Sequence, residues 1–181
     1  CSPSRAGLMT GRYQQRFGHE HNVLFSPQDS TMGTPKNEVF LSKKLKEVGY
    51  STCAIGKWHL GDHPNFLPPK RGFDHWFGFS GGHMNYWGNP YSKNKTMHVQ
   101  RNGKNVDPKK LTYLTDDFTN EALSFIKQQK DTPFFMYLSY NAPHSPDHAT
   151  KQYLEKADHI ENGIRSVYAA MIAGVDQGVG R

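Results

Sequence analysis

Residues 50–61 read YSTCAIGKWHLG, a short apolar run that ends in glycine and leads into basic and imidazole side chains. The run from Tyr50 to Ile55 predicts a short buried strand that ends at Gly56. Residues 37–48 precede it with apolar side chains at helical spacing, which predicts a helix with Gly49 at its C′ position. The predicted apolar face of that helix consists of Leu41, Leu45 and Val48. The stretch therefore predicts a helix-to-strand unit.

Further elements follow on both sides of this unit. In chain order they are a helix over 4–11, a hairpin over 98–106 with its turn at Asn102-Gly103, a helix over 116–129 with Thr115 as N-cap, a fully buried strand over 134–140 and a helix over 163–179. The predicted apolar faces of the last two helices are Phe118, Ala122, Phe125 and Ile126, and Ile164, Tyr168, Met171, Val175 and Val179. Residues 13–36 and 61–97 are predicted to be irregular. Helices that alternate with short apolar strands predict an α/β fold with a sheet covered on both faces.

Composition limits the classes of function. The 181 residues suit one domain, and the net charge of +6 comes from scattered Lys and Arg residues. Because no basic run or nucleic-acid motif is present, an anionic small substrate is favoured over nucleic acid. No apolar stretch approaches the roughly 20 residues that a membrane span needs. Two cysteines are too few for a disulfide framework or a thiolate zinc site, and Cys53 is expected in the core.

The two ends of the chain predict an internal piece of a longer protein. The chain begins with Cys1 and stops within a helical pattern. Targeting signals upstream therefore cannot be judged from these residues.

Several chemically active side chains are expected at one edge of the sheet. The loops that follow the strands at 50–55 and 134–140 carry Lys57, His59 and His144, and the carboxyl ends of parallel strands face one edge. Cys1 and Arg5 are four residues apart, so a helical turn would place them on one face. This set suits nucleophilic attack on a sulfur or phosphorus centre that carries negative oxygens.

Four segments resemble the type I sulfatases, which belong to the alkaline-phosphatase-like superfamily. They are CSPSRAGLMTGR at 1–12, GYSTCAIGKWHLG at 49–61, RGFDHWFGFSGG at 71–82 and FFMYLSYNAPHSP at 134–146. The first fits the C-x-P-S-R core of the family, and the order of all four agrees with it. The resemblance covers nearly the whole chain and implies a partial sulfatase catalytic domain over residues 1–181, with a mixed, mostly parallel sheet flanked by helices.

The resemblance implies a role for each matching residue. A separate maturation enzyme would oxidise Cys1 to formylglycine, which hydrates to a diol that attacks sulfur. Arg5 would hold the diol, and Lys57 would bind the sulfate. His59 would act as the base when sulfate is released. His144 would act as the general acid for the leaving alcohol and contact the substrate.

The resemblance also implies a divalent cation, usually Ca²⁺, that the chain cannot bind fully. Its ligands would be an acidic pair upstream of the signature and an Asp-Asn pair downstream, and neither lies within residues 1–181. Cys1, as formylglycine, is the single family ligand present. A further active-site Lys is also absent. We expect the isolated chain to bind the metal poorly and to be inactive.

The sequence is compatible with more than one class of substrate. A sulfated carbohydrate or glycosaminoglycan is favoured by the family and by the aromatic loop at 83–91, where His83, Asn85, Tyr86 and Trp87 are predicted to line the pocket. The alternatives are a formylglycine-dependent phosphate or phosphonate monoester hydrolase and a non-catalytic module that binds sulfated glycans. Such substrates would place the parent protein outside the cell, in the periplasm or in a lysosome.

The other histidines suggest no metal site. They have irregular spacing and no HxxxH or HExxH pattern, so they are expected to be exposed loop residues. The set comprises His63, His75, His83, His98 and His148, with Asp62, Asp74 and Asp147 nearby in sequence.

Overall fold

The computed structural model of the chain describes residues 1–88 and 98–181. Its strands are β1 (Ser51–Lys57), β2 (His75–Phe79), β3 (Gln100–Arg101), β4 (Lys104–Asn105) and β5 (Phe134–Ser139). Its α-helices are α1 (Ser2–Thr10), α2 (Leu41–Glu47), α3 (Leu114–Gln128), α4 (Lys151–Leu154) and α5 (Gly163–Gly180). The described strands form one sheet in the order β4-β3-β2-β1-β5.

The strand predicted from residues 50–55 lies at the centre of the sheet. β1 pairs in parallel with β2 on one side and with β5 on the other, whereas β3 and β4 add an antiparallel hairpin. Alternate residues of β1 face opposite sides. Ile55 packs with Phe118 of α3, and Ala54 packs with Ala6 of α1. Helices therefore cover both faces of a mixed, mostly parallel sheet, which confirms the predicted α/β class.

Gly56 does not end β1 as predicted, because the strand continues to Lys57. Gly56 has a φ of 100°, and a Cβ there would lie 2.0 Å from the carbonyl oxygen of Ser139 on β5. Only glycine permits this close approach and this backbone conformation. The extra residue places Lys57 at the carboxyl end of the sheet, next to the loop that carries His59.

The helix predicted over 37–48 is shorter, and its predicted apolar face is wrong. α2 begins at Leu41, which is 42% exposed, and Val48 beyond its end is 70% exposed. The buried side carries Ser42 instead, whose hydroxyl donates to the carbonyl of Arg71 at 2.6 Å. A satisfied serine can replace an apolar side chain in the core because its hydroxyl has a partner. Gly49 adopts the predicted left-handed conformation, with a φ of 90°.

The two long helices lie where they were predicted, but some residues of their predicted apolar faces are exposed. α3 begins at Leu114, so Thr115 lies inside the helix instead of capping it, and Ile126 is exposed. On α5, Met171 and Gly174 face the core, and Gly174 lies against the Tyr153 ring. The exposed members of the predicted apolar face of α5 are Ile164, Tyr168 and Val179. Because Gly174 has no side chain, α5 packs closely against its neighbours along a face other than the predicted one.

The irregular region predicted over 61–97 contains β2, which the pattern missed. Part of that region, residues 89–97, lies outside the described residues.

The predicted hairpin is confirmed: Asn102 and Gly103 have φ values of 50° and 83°, as its tight turn requires. β5 is only half-buried along most of its length, because it forms an edge of the described sheet. α1 begins two residues before its predicted start. Each helix in the described ranges is too short or too polar to span a bilayer.

Candidate active site

The first turn of α1 presents Cys1 at the carboxyl edge of the sheet. Cys1 is the N-cap residue, and Pro3 lies in the first turn, where a missing N–H costs nothing. The side chain of Asn22 accepts a hydrogen bond from the backbone N–H of Ser2 at 2.9 Å and so caps the helix from a distant loop. The N–H of Arg5 donates to the Cys1 carbonyl at 3.1 Å. Cys1 and Arg5 therefore lie one helical turn apart, as predicted.

Lys57 and His59 both contact the Cys1 sulfur. The Lys57 Nζ donates to Sγ at 3.2 Å, and the His59 Nδ1 lies 3.3 Å from Sγ. The other ring nitrogen of His59, Nε2, donates to the carbonyl of Val23 at 3.2 Å. Because that carbonyl can only accept, the hydrogen-bond network assigns the ring proton to Nε2 and leaves a lone pair on Nδ1. His59 thus directs a basic nitrogen at residue 1.

Burial sets the charges of these two residues. Burial, together with the nearby Arg5, lowers the pKa of Lys57 to about 8. Burial and the positive charge of Lys57 lower the pKa of His59 to about 4. At pH 7, Lys57 is therefore mostly cationic and His59 is neutral. The site combines a positive charge for an anion with a nitrogen that can take up a proton.

Arg5 lies beneath the site and holds the ends of two strands. Its Nη1 donates to the carbonyl of Lys57 at 2.8 Å, to the hydroxyl of Tyr137 at 2.9 Å and to the hydroxyl of Ser139. Its Nε is buried and has no hydrogen-bond partner among the described residues. Asn141, just after β5, is also buried, and its side-chain oxygen and nitrogen have no hydrogen-bond partner among the described residues.

A cavity of about 280 Å³ opens between Cys1, His59, His83 and His144. The His83 and His144 rings are nearly parallel, with centroids 6.5 Å apart. The Nδ1 of His144 donates to the carbonyl of Ser145 at 2.8 Å, which assigns a ring proton to Nδ1. Larger hollows beside α1 contain none of the five predicted catalytic residues. The structure therefore brings the loops after β1 and β5 together at one edge.

Two of the residues predicted to line the pocket differ in exposure. Trp87 is 40% exposed, but Tyr86 is completely buried, and its hydroxyl donates to the carbonyl of His144 at 2.8 Å. Tyr86 was thus wrongly predicted to line the pocket, since it supports the histidine loop from below. Residues 89–91 of the predicted aromatic loop lie outside the described residues. Cys53 is a core residue, as predicted, and Trp58 is buried as well.

The described residues do not by themselves form a metal site. No group of three or more His, Cys, Asp or Glu residues among them could hold an ion. The side chains that contact Cys1 are a lysine and a histidine, whereas Ca²⁺ prefers several oxygen ligands. Of the other predicted loop histidines, His83 is exposed, but His63, His75, His98 and His148 are half-buried, and Asp62 is buried.

Sequence reasoning missed the residues that support the site. Tyr137 and Ser139 alternate on β5, so the strand pattern could have placed both on the Arg5 side of the sheet. Ser2, His19 and Asn22 gave no such signal, because their contacts depend on how an irregular loop folds back over α1.

Comparison with known proteins identifies the family. The family model described as Sulfatase matches residues 1–181. The chain belongs to the sulfatase family. The N-acetylgalactosamine-6-sulfatase of Mus musculus is 36% identical over 197 residues, which cover 100% of this chain and 36% of that protein. The chain therefore spans about a third of the length of this curated sulfatase.

Solved structures agree with the alkaline-phosphatase-like sulfatase fold. The crystal structure of Ps i-CgsB in complex with k-i-k-neocarrahexaose superposes with a TM-score of 0.89 at 40% identity, covering 99% of this chain and 43% of that one. A second structure, in complex with its substrate D-glucosamine-2-N,6-O-disulfate, has a TM-score of 0.66 at 27% identity and covers 88% of this chain and 28% of that one.

Proposed function

We propose that residues 1–181 are part of the catalytic domain of a hydrolase that cleaves sulfate monoesters on a carbohydrate. The observation that carries this proposal is the contact of both Lys57 and His59 with the Cys1 sulfur, at 3.2 and 3.3 Å. A cationic donor and a neutral base at one nucleophile position suit the displacement of an alcohol from a sulfate ester.

We propose that the nucleophile is a formylglycine made from Cys1 by a separate maturation enzyme. That group would supply a hydrated aldehyde whose hydroxyl attacks sulfur. Lys57 would bind the non-bridging oxygens of the sulfate, where negative charge gathers. His59 would take up a proton at Nδ1 when sulfate is released, because Nε2 is already committed to the Val23 carbonyl. Arg5 would keep Lys57 in place through its carbonyl.

His144 is the proposed general acid. It lines the same cavity as Cys1. Because Nδ1–H donates to the Ser145 carbonyl, the neutral ring has a lone pair at Nε2, so Nε2 would first take up a proton and then pass it to the leaving alcohol. His83, stacked beside it, would contact the substrate. The cavity of about 280 Å³ lies just below the usual range for sites that enclose a drug-sized ligand, so it would enclose the sulfate and leave most of a glycan outside.

The glycan preference rests on relatives and on exposed side chains. N-Acetylgalactosamine-6-sulfatase, the complex with k-i-k-neocarrahexaose and the complex with D-glucosamine-2-N,6-O-disulfate all involve carbohydrates. His83 is exposed and lines the cavity, and Trp87, four residues further along the same loop, is 40% exposed; both rings offer stacking surfaces for a sugar ring. We therefore propose a sulfated carbohydrate or glycosaminoglycan as substrate, and an extracellular, periplasmic or lysosomal location for the parent protein.

Ca²⁺ binding would require residues outside this chain. Cys1, as formylglycine, would contribute one oxygen ligand, and the acidic ligands would come from the parent protein on both sides. The proposed roles of Lys57, His59 and His144 do not depend on the ion. The isolated chain should accordingly bind Ca²⁺ poorly and show no turnover.

Three experiments test this proposal. The parent protein should hydrolyse 4-nitrophenyl sulfate, and residues 1–181 alone should not; equal activity of both would contradict the proposed division of the site. Parallel assays with 4-nitrophenyl phosphate and a phosphonate monoester test the alternative hydrolase, which the same charges would also suit. Mass spectrometry of the Cys1 peptide from the parent separates catalysis from glycan binding: an aldehyde supports catalysis, and an unmodified thiol throughout favours the binding module.

A further inference from the structure

A buried chain of hydrogen bonds leads from an irregular loop to the backbone of His59. The Ser2 hydroxyl donates to the His59 carbonyl at 2.6 Å, and the same oxygen lies 2.6 Å from Nε2 of His19. The Nδ1 of His19 lies 3.3 Å from the Thr34 hydroxyl. All four residues are at most 6% exposed. Water therefore has little access to any of these groups.

The chemistry of the groups fixes the direction of this chain. A peptide carbonyl can only accept, so the single hydroxyl proton of Ser2 is committed to His59. The Ser2 oxygen must then accept from Nε2–H of His19, and the neutral ring accepts at Nδ1 from Thr34. Burial lowers the pKa of His19, which favours this neutral form. Donation therefore runs from Thr34 through His19 and Ser2 to His59.

The backbone at the end of the chain is strained. His59 has a φ of 56°, a left-handed conformation that only one other non-glycine residue, Asn102, adopts in the described part of the structure. Such a conformation is unfavourable for a residue with a Cβ and persists only where its surroundings enforce it. The His59 N–H donates to the Ser80 carbonyl at 2.9 Å, so contacts on both sides of the residue hold it. Without Ser2, the carbonyl would be free to rotate.

We infer that Ser2 and His19 are positioning residues that hold the catalytic His59 in its left-handed conformation. Neither residue contacts the Cys1 sulfur in the described structure, and His19 is linked to His59 through the Ser2 hydroxyl. The conformation they maintain aims Nδ1 of His59 at residue 1. The inference rests on the proposed sulfatase function, because it assigns His59 to the catalytic step.

The test is a double-mutant cycle in the parent protein. Ser2→Ala and His19→Ala should each lower kcat for 4-nitrophenyl sulfate by about 10- to 100-fold, with a smaller change in KM, as for other residues that orient catalytic groups. The double variant should be no slower than Ser2→Ala, since His19 acts through Ser2. His19→Gln keeps an N–H donor for Ser2 and should restore most of kcat. His21→Gln, at an exposed neighbouring histidine, is the matched control and should leave kcat unchanged.

The outcomes separate this inference from the function it rests on. If the kcat losses of the two single variants multiply in the double variant, His19 has an independent structural role and the inference is overturned. The same follows if His19→Gln fails to restore kcat although its Tm is unchanged. If the unsubstituted parent hydrolyses no sulfate ester, the proposed function fails instead. Crystal structures of Ser2→Ala and His19→Ala then decide the inference: a changed φ of His59 or a lost Nδ1–Sγ contact supports it, and an unmoved His59 refutes it.

Discussion

A methyl group at residue 82 should displace the His59 ring. A Cβ built on Gly82 would lie 2.7 Å from Cε1 and 2.8 Å from Nε2 of His59, whereas ordinary contact begins at 3.4 Å. Gly82→Ala therefore requires a displacement of about 0.7 Å, and the ring cannot make it without straining its bonds to Val23 and residue 1. Because a misplacement of roughly 1 Å can cost about 100-fold in rate, we expect kcat to fall about 10- to 100-fold.

The assay is steady-state hydrolysis of 4-nitrophenyl sulfate by the parent protein, with Tm measured on the same samples. Gly163→Ala is the matched control, because a Cβ there meets nothing within 4 Å. That variant should keep wild-type kcat. If Gly82→Ala retained full kcat with a crystal structure showing His59 unmoved, the claim that this ring is tightly confined would be refuted.

Three further outcomes follow from the site. His144→Ala should slow hydrolysis of sugar sulfates by about 100- to 10,000-fold but slow 4-nitrophenyl sulfate less, since a good leaving group needs little protonation; equal losses would argue against a general acid. Lys57→Met should abolish turnover yet raise stability by ~1–3 kcal/mol in thermal melts, because a buried cation is removed; a lower Tm would contradict this. The pKa of His59 is lowered to about 4, so its contribution to stability is present above about pH 6.5 and is lost as pH falls towards 4. In denaturant melts the free energy of unfolding should fall by about 3 kcal/mol over that range, and His59→Gln should reduce this fall.

The sequence predicted those parts of the site that depend on strand ends. The apolar run at 50–55 and the run at 134–140 placed Lys57, His59 and His144 at one edge, because parallel strands share their carboxyl side. β2 was missed because its residues, HWFGF, are embedded among glycines and aromatics that resemble a loop. No local pattern could show this strand, since its pairing with β1 is a long-range contact.

Helix faces were the least predictable feature. On α2, Leu41 had helical spacing but is exposed, while Ser42 is buried through its bond to Arg71. A hydropathy pattern assigns serine to the surface, and only the partner across the fold reverses that assignment. Local sequence pattern likewise could not identify His19 and Asn22, because their hydrogen bonds to Ser2 form only when an irregular loop folds back over α1.

Gly56 and Gly78 lie beneath the site, and the close approach of the strands that both folding and catalysis need depends on them. Gly56 of β1 pairs with Gly78 of β2 and Ser139 of β5, and a Cβ at either glycine would lie 2.0 Å from a backbone oxygen of a neighbouring strand. In a library selected for stability alone, these two positions should be as invariant as in one selected for activity. Lys57, one residue beyond, should vary freely in the first library and not in the second. Comparing the two libraries would separate the residues that build the sheet from those that use it.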